Sequence, residues 1–281
     1  MASMQLYDSV SIRCSRLTTQ RYSTSFTLGI KSLAKRYRDP IYAIYGFVRF
    51  ADEIVDTFKR NDSAELLSEF RTDTYKAINR GISLNPILHS FQACVNTYKI
   101  ERELIDTFIT SMEMDLSETS YDQLGYEKYI LGSAEVVGLM CLRVFCEGDE
   151  AEYQKLKNPA MRLGSAFQKI NFLRDLNADY FGLGRVYFPG IELSKFDEST
   201  KEAILDDIRK DFDDGFKGIL QLPKGARFGV YVAYVYYYAL LNKISGTPSA
   251  RILEERIRIP DGRKYALILK SYLRHQLNLI G

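Results

Sequence analysis

Two short acidic ladders hold the chemistry this sequence could perform. In Tyr45-Gly46-Phe47-Val48-Arg49-Phe50-Ala51-Asp52-Glu53-Ile54-Val55-Asp56, the carboxylates Asp52 and Asp56 stand four residues apart, with Arg49 and Tyr45 on the same helical stripe. In Gln168-Lys169-Ile170-Asn171-Phe172-Leu173-Arg174-Asp175-Leu176-Asn177-Ala178-Asp179, the side chains of Gln168, Asn171, Asp175 and Asp179 fall at i, i+3, i+7 and i+11, again one stripe. Apolar residues fill the rest of each circumference: Ile44, Phe47, Ala51, Ile54 and Phe58 on the first helix, Phe167, Ile170, Phe172, Leu173 and Leu176 on the second. A solvated charged face does not predict so much apolar surface. Like charges at this spacing repel by roughly 0.2–0.5 kcal/mol even when exposed, and unpaired buried charge costs far more. Facing each other, the ladders would form a four-carboxylate site able to hold several cations. Mg²⁺ is the simplest candidate, because it takes hard oxygen ligands and commonly binds a carboxylate or two together with phosphate and water.

Other chemistries fit less well. A di-iron bundle needs Glu-x-x-His twice, and the two histidines, His89 and His275, do not follow a glutamate at that spacing. They read as surface or satisfied core residues. No Ser/His/Asp motif and no P-loop is present, so any phosphate chemistry must run through cations and arginine. The chain has 20 Tyr, 16 Phe and no Trp. An apolar, aromatic-lined cavity with carboxylates at its mouth suits an isoprenoid diphosphate: the tail needs apolar surface, the diphosphate needs Mg²⁺, and aromatic faces stabilise carbocations.

The elements that must position these groups are helices. Periodic 3.6-residue patterns dominate and alternating patterns are scarce, so the class is all-α. Asp39-Pro40 and Asn158-Pro159 read as the starts of the two acidic helices, each a capping residue followed by proline. Further helices are expected over Ser3 to Leu17, from the hydroxyl-rich Arg21 to Ile30 stretch to near Tyr37, and over Ser63 to Asn79 and Pro86 to Tyr98. Glu101 to Asp115, Tyr121 to Cys146, Thr200 to Leu220, Pro223 to Ile244, Pro248 to Leu253 and Asp261 to Leu279 complete the set. In the long apolar stretch, Gly132, Ser133, Ala134 and Gly138 let either another helix or a ligand come close. Gly182 to Pro189 is a flexible loop carrying Arg185 and Tyr187. No linker divides the chain, so a single domain over 1–281 is expected.

Composition sets bounds. The 281 residues are 46% hydrophobic and 26% charged, enough for a large core, and a net charge of +2 gives no case for nucleic acid. The N-terminus lacks an apolar signal core. The longest apolar run, Val230 to Leu241, is well short of the ~20 residues that span a bilayer. Cys14, Cys94, Cys141 and Cys146 have no metal-ligand spacing and read as reduced core residues, which fits a cytoplasmic protein with peripheral membrane contact left open.

On these motifs the chain resembles the squalene/phytoene synthase family of head-to-head prenyl synthases, most of all its bacterial phytoene synthases. Ser23-Thr24-Ser25-Phe26 is similar to the family's Ser-x-Ser-Phe start, and the Tyr42 to Asp56 stretch to its first aspartate-rich motif. Tyr129 to Met140 resembles its substrate-channel helix, and Gln168 to Asp179 with Gly184 to Pro189 its second motif and flap. Tyr237, Leu240-Leu241 and Arg256-Ile257 resemble late diphosphate contacts. The chain departs from the family at Ala178, where glutamate is common, and at Ala134-Glu135, where Ala-Gly is common. The resemblance implies an isoprenoid synthase fold around a central cavity. It implies two or three Mg²⁺ ions, with Mn²⁺ as a substitute, held by Asp52, Asp56, Asn171, Asp175 and Asp179. It implies that Tyr22, Ser23, Ser25, Phe26, Tyr45, Arg49, Tyr129, Gln168, Arg174, Tyr237 and Arg256 bind prenyl diphosphates, and that Arg185 and Tyr187 close over them. The implied reaction joins two geranylgeranyl diphosphates through a cyclopropylcarbinyl diphosphate to phytoene. The alternatives are a squalene or dehydrosqualene synthase acting on farnesyl diphosphate, with NADPH only in the squalene case, and a non-catalytic assembly factor. A terpene cyclase or head-to-tail transferase is disfavoured by the Gln/Asn/Arg setting of the second ladder. Oligomeric state leaves no mark in the sequence.

Overall fold

A computed structural model describes residues 2–58, 61–192 and 195–276. The chain folds into α1 (Ala2–Tyr22), α2 (Thr24–Lys31), α3 (Lys35–Asp52), α4 (Ser63–Arg80), α5 (Pro86–Tyr98), α6 (Arg102–Ser117), α7 (Gln123–Ile130), α8 (Val136–Cys146) and α9 (Glu150–Ala178). Then follow α10 (Glu198–Gln221), α11 (Lys224–Ser245), the short α12 (Ser249–Ile252) and α13 (Asp261–Gln276). Among the described residues three π-helical turns interrupt this order: π1 (Glu53–Thr57) extends α3, π2 (Leu131–Glu135) joins α7 to α8, and π3 (Asp179–Leu183) extends α9. Among the described residues there is no strand, only a lone parallel bridge between Ser120 and Val186. The expected all-α class is what the chain adopts.

Local chemistry explains several helix starts. Asn85 accepts the Ile87 and Leu88 N–H groups ahead of Pro86, Asp149 accepts Glu152 N–H at 2.9 Å, and Asp197 accepts Thr200 N–H at 2.8 Å. Gly81, at φ 70°, ends α4 in the left-handed conformation that glycine adopts without strain. Two expected starts are wrong. α3 begins at Lys35, so Pro40 lies inside it, and Asp39 pairs with Arg16 at 2.6 Å instead of capping. α9 begins at Glu150, so Pro159 also lies inside a helix. A mid-helix proline forfeits one hydrogen bond. Burial outweighs that here: Tyr37 and Ala43 flank Pro40 at 1% exposure or less, and Pro159 packs onto Gly218, where a Cβ would lie 2.4 Å from the proline ring. The second helix stops at Lys31 rather than near Tyr37, and the first runs on to Tyr22. The last expected residues, 277–279, lie outside the described ones, as does the side chain of His275.

α9 is the axis of the bundle, packed against α10, α8, α11 and π2. One half of the core surrounds Phe47, whose ring stacks on Phe91 at 3.9 Å and meets Phe70 and Phe108. The other surrounds Ile170, Leu173, Phe212 and Leu240, all fully buried. Glycines bring the helices together: a Cβ on Gly132 would meet Ser111 Cβ at 2.5 Å, and one on Gly164 would meet the Ala134 carbonyl oxygen at 2.7 Å. Gly138 also abuts the Ala160 carbonyl at 3.0 Å while lining the cavity described below. The small-residue cluster therefore serves close packing and the cavity wall together. Gln123–Cys146 is long and apolar enough to cross a bilayer, contrary to the expectation that Val230 to Leu241 was the longest such run; 67% of its most apolar window is buried inside the protein, as in a core helix. All four cysteines are free, as expected.

Candidate active site

Both ladders open on one cavity of about 470 Å³. α3 lines it from Ile41 to Asp52 and α9 over most of its length. Along α9 the wall runs from Leu156 to Asp175, a distance of about 28 Å at 1.5 Å per residue. The polar residues Tyr45, Arg49, Asp52, Asp56, Gln168, Asn171, Arg174, Asp175 and Asp179 cluster toward one end. Leu33, Ile41, Leu142, Phe145, Leu156 and Leu222 line the apolar remainder.

The two ladders face each other. Burial pushes the Asp52 carboxyl up to about 8; Arg49 opposes the shift, and Asp56 and Asp115 add to it. Burial likewise raises Asp179 to about 7, reinforced by Asp175 and, from the other ladder, by Asp56. The side chain of Asp52 keeps 31% of its surface open, turned into the cavity. Arginines hold most of these carboxylates. Asp175 receives Arg174 at 2.9 and 2.5 Å and Arg256 at 2.6 Å. Asp56 receives Arg185 at 2.8 Å, and Asp52 lies 3.6 Å from Arg49. Glu53, on π1, takes a further hydrogen bond from Arg49. Among the described residues no three His, Cys, Asp or Glu side chains converge on a single point; Asp52, Asp56 and Asp175 are each turned to an arginine.

The donor set nonetheless fits a hard cation. The four ladder carboxylates line the cavity, and Asn171 Oδ1 is buried with no hydrogen-bond partner. An orphaned buried acceptor costs ~1–3 kcal/mol, a cost that a ligated cation would remove. π1 and π3 fall at the tips of the two ladders, so Asp56 and Asp179 both sit on widened turns, a feature frequent at functional sites.

Other expected site residues stand in or just behind the wall. Phe26, Tyr129 and Tyr187 line it. Tyr22 is half exposed and packs under the Arg49 guanidinium at 4.3 Å. Ser23 caps α2 by accepting Phe26 N–H at 3.2 Å. Tyr237, fully inside, stacks on Phe167 at 4.1 Å. Tyr22, Ser23, Ser25, Arg185, Tyr237 and Arg256 are not part of the wall itself; apart from Ser25, for which no link to the site emerges, they act on residues that are. His89 is a satisfied core residue, its Nε2 2.7 Å from Asp8 and its Nδ1 accepting Ser83 N–H at 3.3 Å.

Sequence reasoning missed Asp115. It lines the cavity at 7% exposure, accepts the Tyr129 hydroxyl at 2.8 Å, and lies 3.4 Å from Arg185. Burial pushes its carboxyl up to about 7 against the pull of Arg185. A signal was present: Asp115 continues the buried stripe of Ile105, Phe108 and Met112, where a carboxylate is out of place unless paired.

Residues 19–263 match the squalene/phytoene synthase family model. The chain therefore belongs to this family, one of prenyl-transferring head-to-head synthases. It is 27% identical over 257 residues to phytoene synthase 1 of Solanum lycopersicum, covering 83% of this chain but only 60% of that protein's length. It is 25% identical to the 15-cis-phytoene synthase of Synechocystis sp. over 93% of this chain and 84% of that one. Among solved structures, a dehydrosqualene synthase superposes with a TM-score of 0.83 at 19% identity, covering 97% of this chain and 98% of that one, and so shares its fold.

Proposed function

We propose that this chain is a phytoene synthase, condensing two geranylgeranyl diphosphates head to head through a cyclopropylcarbinyl diphosphate. The observation that carries this reading is the pair of facing acidic ladders at one end of a long apolar cavity. A twenty-carbon prenyl chain is roughly 20 Å when extended, from covalent bond lengths near 1.5 Å. The wall along α9 is long enough for that chain with its diphosphate at the acidic end.

Asp52, Asp56, Asn171, Asp175 and Asp179 would hold Mg²⁺. When bound, Mg²⁺ supplies Lewis-acid assistance to the departure of diphosphate. Arg49, Arg174, Arg185 and Arg256 already face these carboxylates, so they are placed to take diphosphate oxygens when the acids turn to cations. Tyr129, Phe172 and Tyr187 present aromatic rings to the cavity, with Phe172 and Tyr187 stacked at 4.0 Å, and such faces stabilise positive carbon. The apolar wall excludes water from it. The product would be a hydrocarbon, which favours peripheral contact of a cytoplasmic enzyme with a membrane at release.

The test is a product assay with C20 and C15 prenyl diphosphates, Mg²⁺ or Mn²⁺, and with or without NADPH. A C40 hydrocarbon formed from the C20 substrate without NADPH is the expected result. Preference for farnesyl diphosphate would reassign the chain as a squalene or dehydrosqualene synthase, and no turnover of either would favour an assembly factor. Asp52→Asn and Asp175→Asn should each abolish turnover with the melting transition retained.

A further inference from the structure

Arg185 is buried in the loop that follows π3, and it ties three parts of the molecule together. Its guanidinium donates to Asp56 Oδ1 at 2.8 Å, to the Asp115 carbonyl at 2.6 Å and to the Tyr187 hydroxyl at 3.3 Å. Its own N–H donates to the Asp179 carbonyl at 3.0 Å, and the next N–H, of Val186, to the Thr119 carbonyl at 2.9 Å. One residue thus links the tips of both ladders. If Asp56 turns toward a cation, Arg185 loses its closest carboxylate. What remains is Asp115, whose two carboxylate oxygens also take the hydroxyls of Tyr129 (2.8 Å) and Tyr187 (3.3 Å). These rings meet at 5.1 Å, and Tyr187 stacks on Phe172.

We propose that Asp115 is a positioning residue that latches the 184–188 loop to the end of α6, keeping Arg185 and the Tyr129/Tyr187 rings in place so that the cavity stays dry. The proposal deepens the prenyl synthase reading and rests on it for its chemical consequence. In that chemistry the carbon–oxygen bond to diphosphate breaks and the diphosphate leaves with the electron pair. In a dry cavity the double bond of the second substrate captures the carbon. With the latch undone, water supplies its oxygen to the carbon instead and its proton to solvent, giving a prenyl alcohol.

Two readouts test this on the full chain. The first needs no turnover: hydrogen–deuterium exchange of residues 184–188 in the wild type, Asp115→Ala and Asp115→Asn. Asp115→Ala should speed exchange there at least tenfold with the exchange of α9 unchanged. Asp115→Asn should be intermediate, since its amide oxygen still accepts from one of the two tyrosines but its amide nitrogen cannot accept from the other, and the charge opposite Arg185 is gone. The second is product partition with prenyl diphosphate and Mg²⁺: the alcohol-to-hydrocarbon ratio should rise about tenfold in Asp115→Ala, with kcat for hydrocarbon falling more than KM changes. Tyr121→Phe is the control: its ring stacks in the same cluster, but its hydroxyl is buried without a partner, so neither readout should move. Unchanged loop exchange in both Asp115 variants overturns the latch, as does an unchanged product ratio. Should the wild type make no hydrocarbon, the synthase reading fails, and the exchange measurement alone decides the latch.

Discussion

Replacing Lys169 with methionine should weaken the contact between the long helix α9 and its largest neighbour, α10. The Lys169 ammonium lies between Asp207 at 2.5 Å and Asp211 at 2.7 Å. The two partners are not equal. Asp207 is 58% exposed, and its pairing is worth ~0–1 kcal/mol. Asp211 is 6% exposed, and without the lysine it keeps only the Ser165 hydroxyl at 2.7 Å and Arg162, 44% exposed, at 3.4 Å. Removing one member of a buried pair costs ~3–5 kcal/mol because the other charge is stranded; the help from Arg162 brings the expectation to ~2–3 kcal/mol. At ~2–4 °C per kcal/mol for a chain of this size, the melting temperature should fall by ~5–10 °C. Urea denaturation of Lys169→Met, Asp207→Asn and the double variant Lys169→Met/Asp211→Leu measures it. Asp207→Asn should be nearly neutral, and the double variant should recover most of the loss. A drop under ~1 kcal/mol for Lys169→Met, or a double variant no better than the single, refutes the claim that a stranded Asp211 is the cost.

Phe145→Ala removes a buried ring from the apolar end of the cavity, where it meets Tyr37 edge-on at 5.5 Å. It should cost ~3–5 kcal/mol of stability and shift preference toward longer prenyl diphosphates, as read by competition between chain lengths. Gly164→Ala drives a methyl against the Ala134 carbonyl and should cost ~1–3 kcal/mol, whereas Gly182→Ala, with nothing within 4 Å of the new carbon, should melt like the wild type. The Asp115 carboxyl titrates near 7 when folded and near 3.8 when unfolded. Between those values the folded chain holds a proton that the unfolded chain has lost, so this group's contribution to stability falls as pH rises through that window. Denaturation at pH 5 and pH 7.5 should therefore show a smaller loss with rising pH in Asp115→Asn; equal slopes would count against the buried carboxyl as its source.

The helical class and most helix limits could be read from periodicity and capping, since a residue such as Asn85 announces its helix within three positions. The acidic ladders were equally plain, because carboxylates on an otherwise apolar helix are conspicuous. Proline misled twice. Pro40 and Pro159 carry a local signal for a start, and tertiary burial overrode it. Asp115 escaped notice because one acid near a helix end resembles a solvated one, and only the arrival of Tyr129 and Arg185 from distant segments gives it partners. The π turns have no sequence signature of their own; they come from what the neighbours of each helix demand.

Those turns loosen a constraint on the chain. A π turn contains one residue more than a regular helix would use for the same advance. Each acidic helix thus has a packed root and a tip whose rotation about the axis is set separately. Losing a single residue within Glu53–Thr57 or Asp179–Leu183 would leave the root seated and swing everything beyond by about 100°. A one-residue deletion ahead of Asp56 within π1 would therefore turn that carboxylate about the helix axis while the root of α3 stays seated.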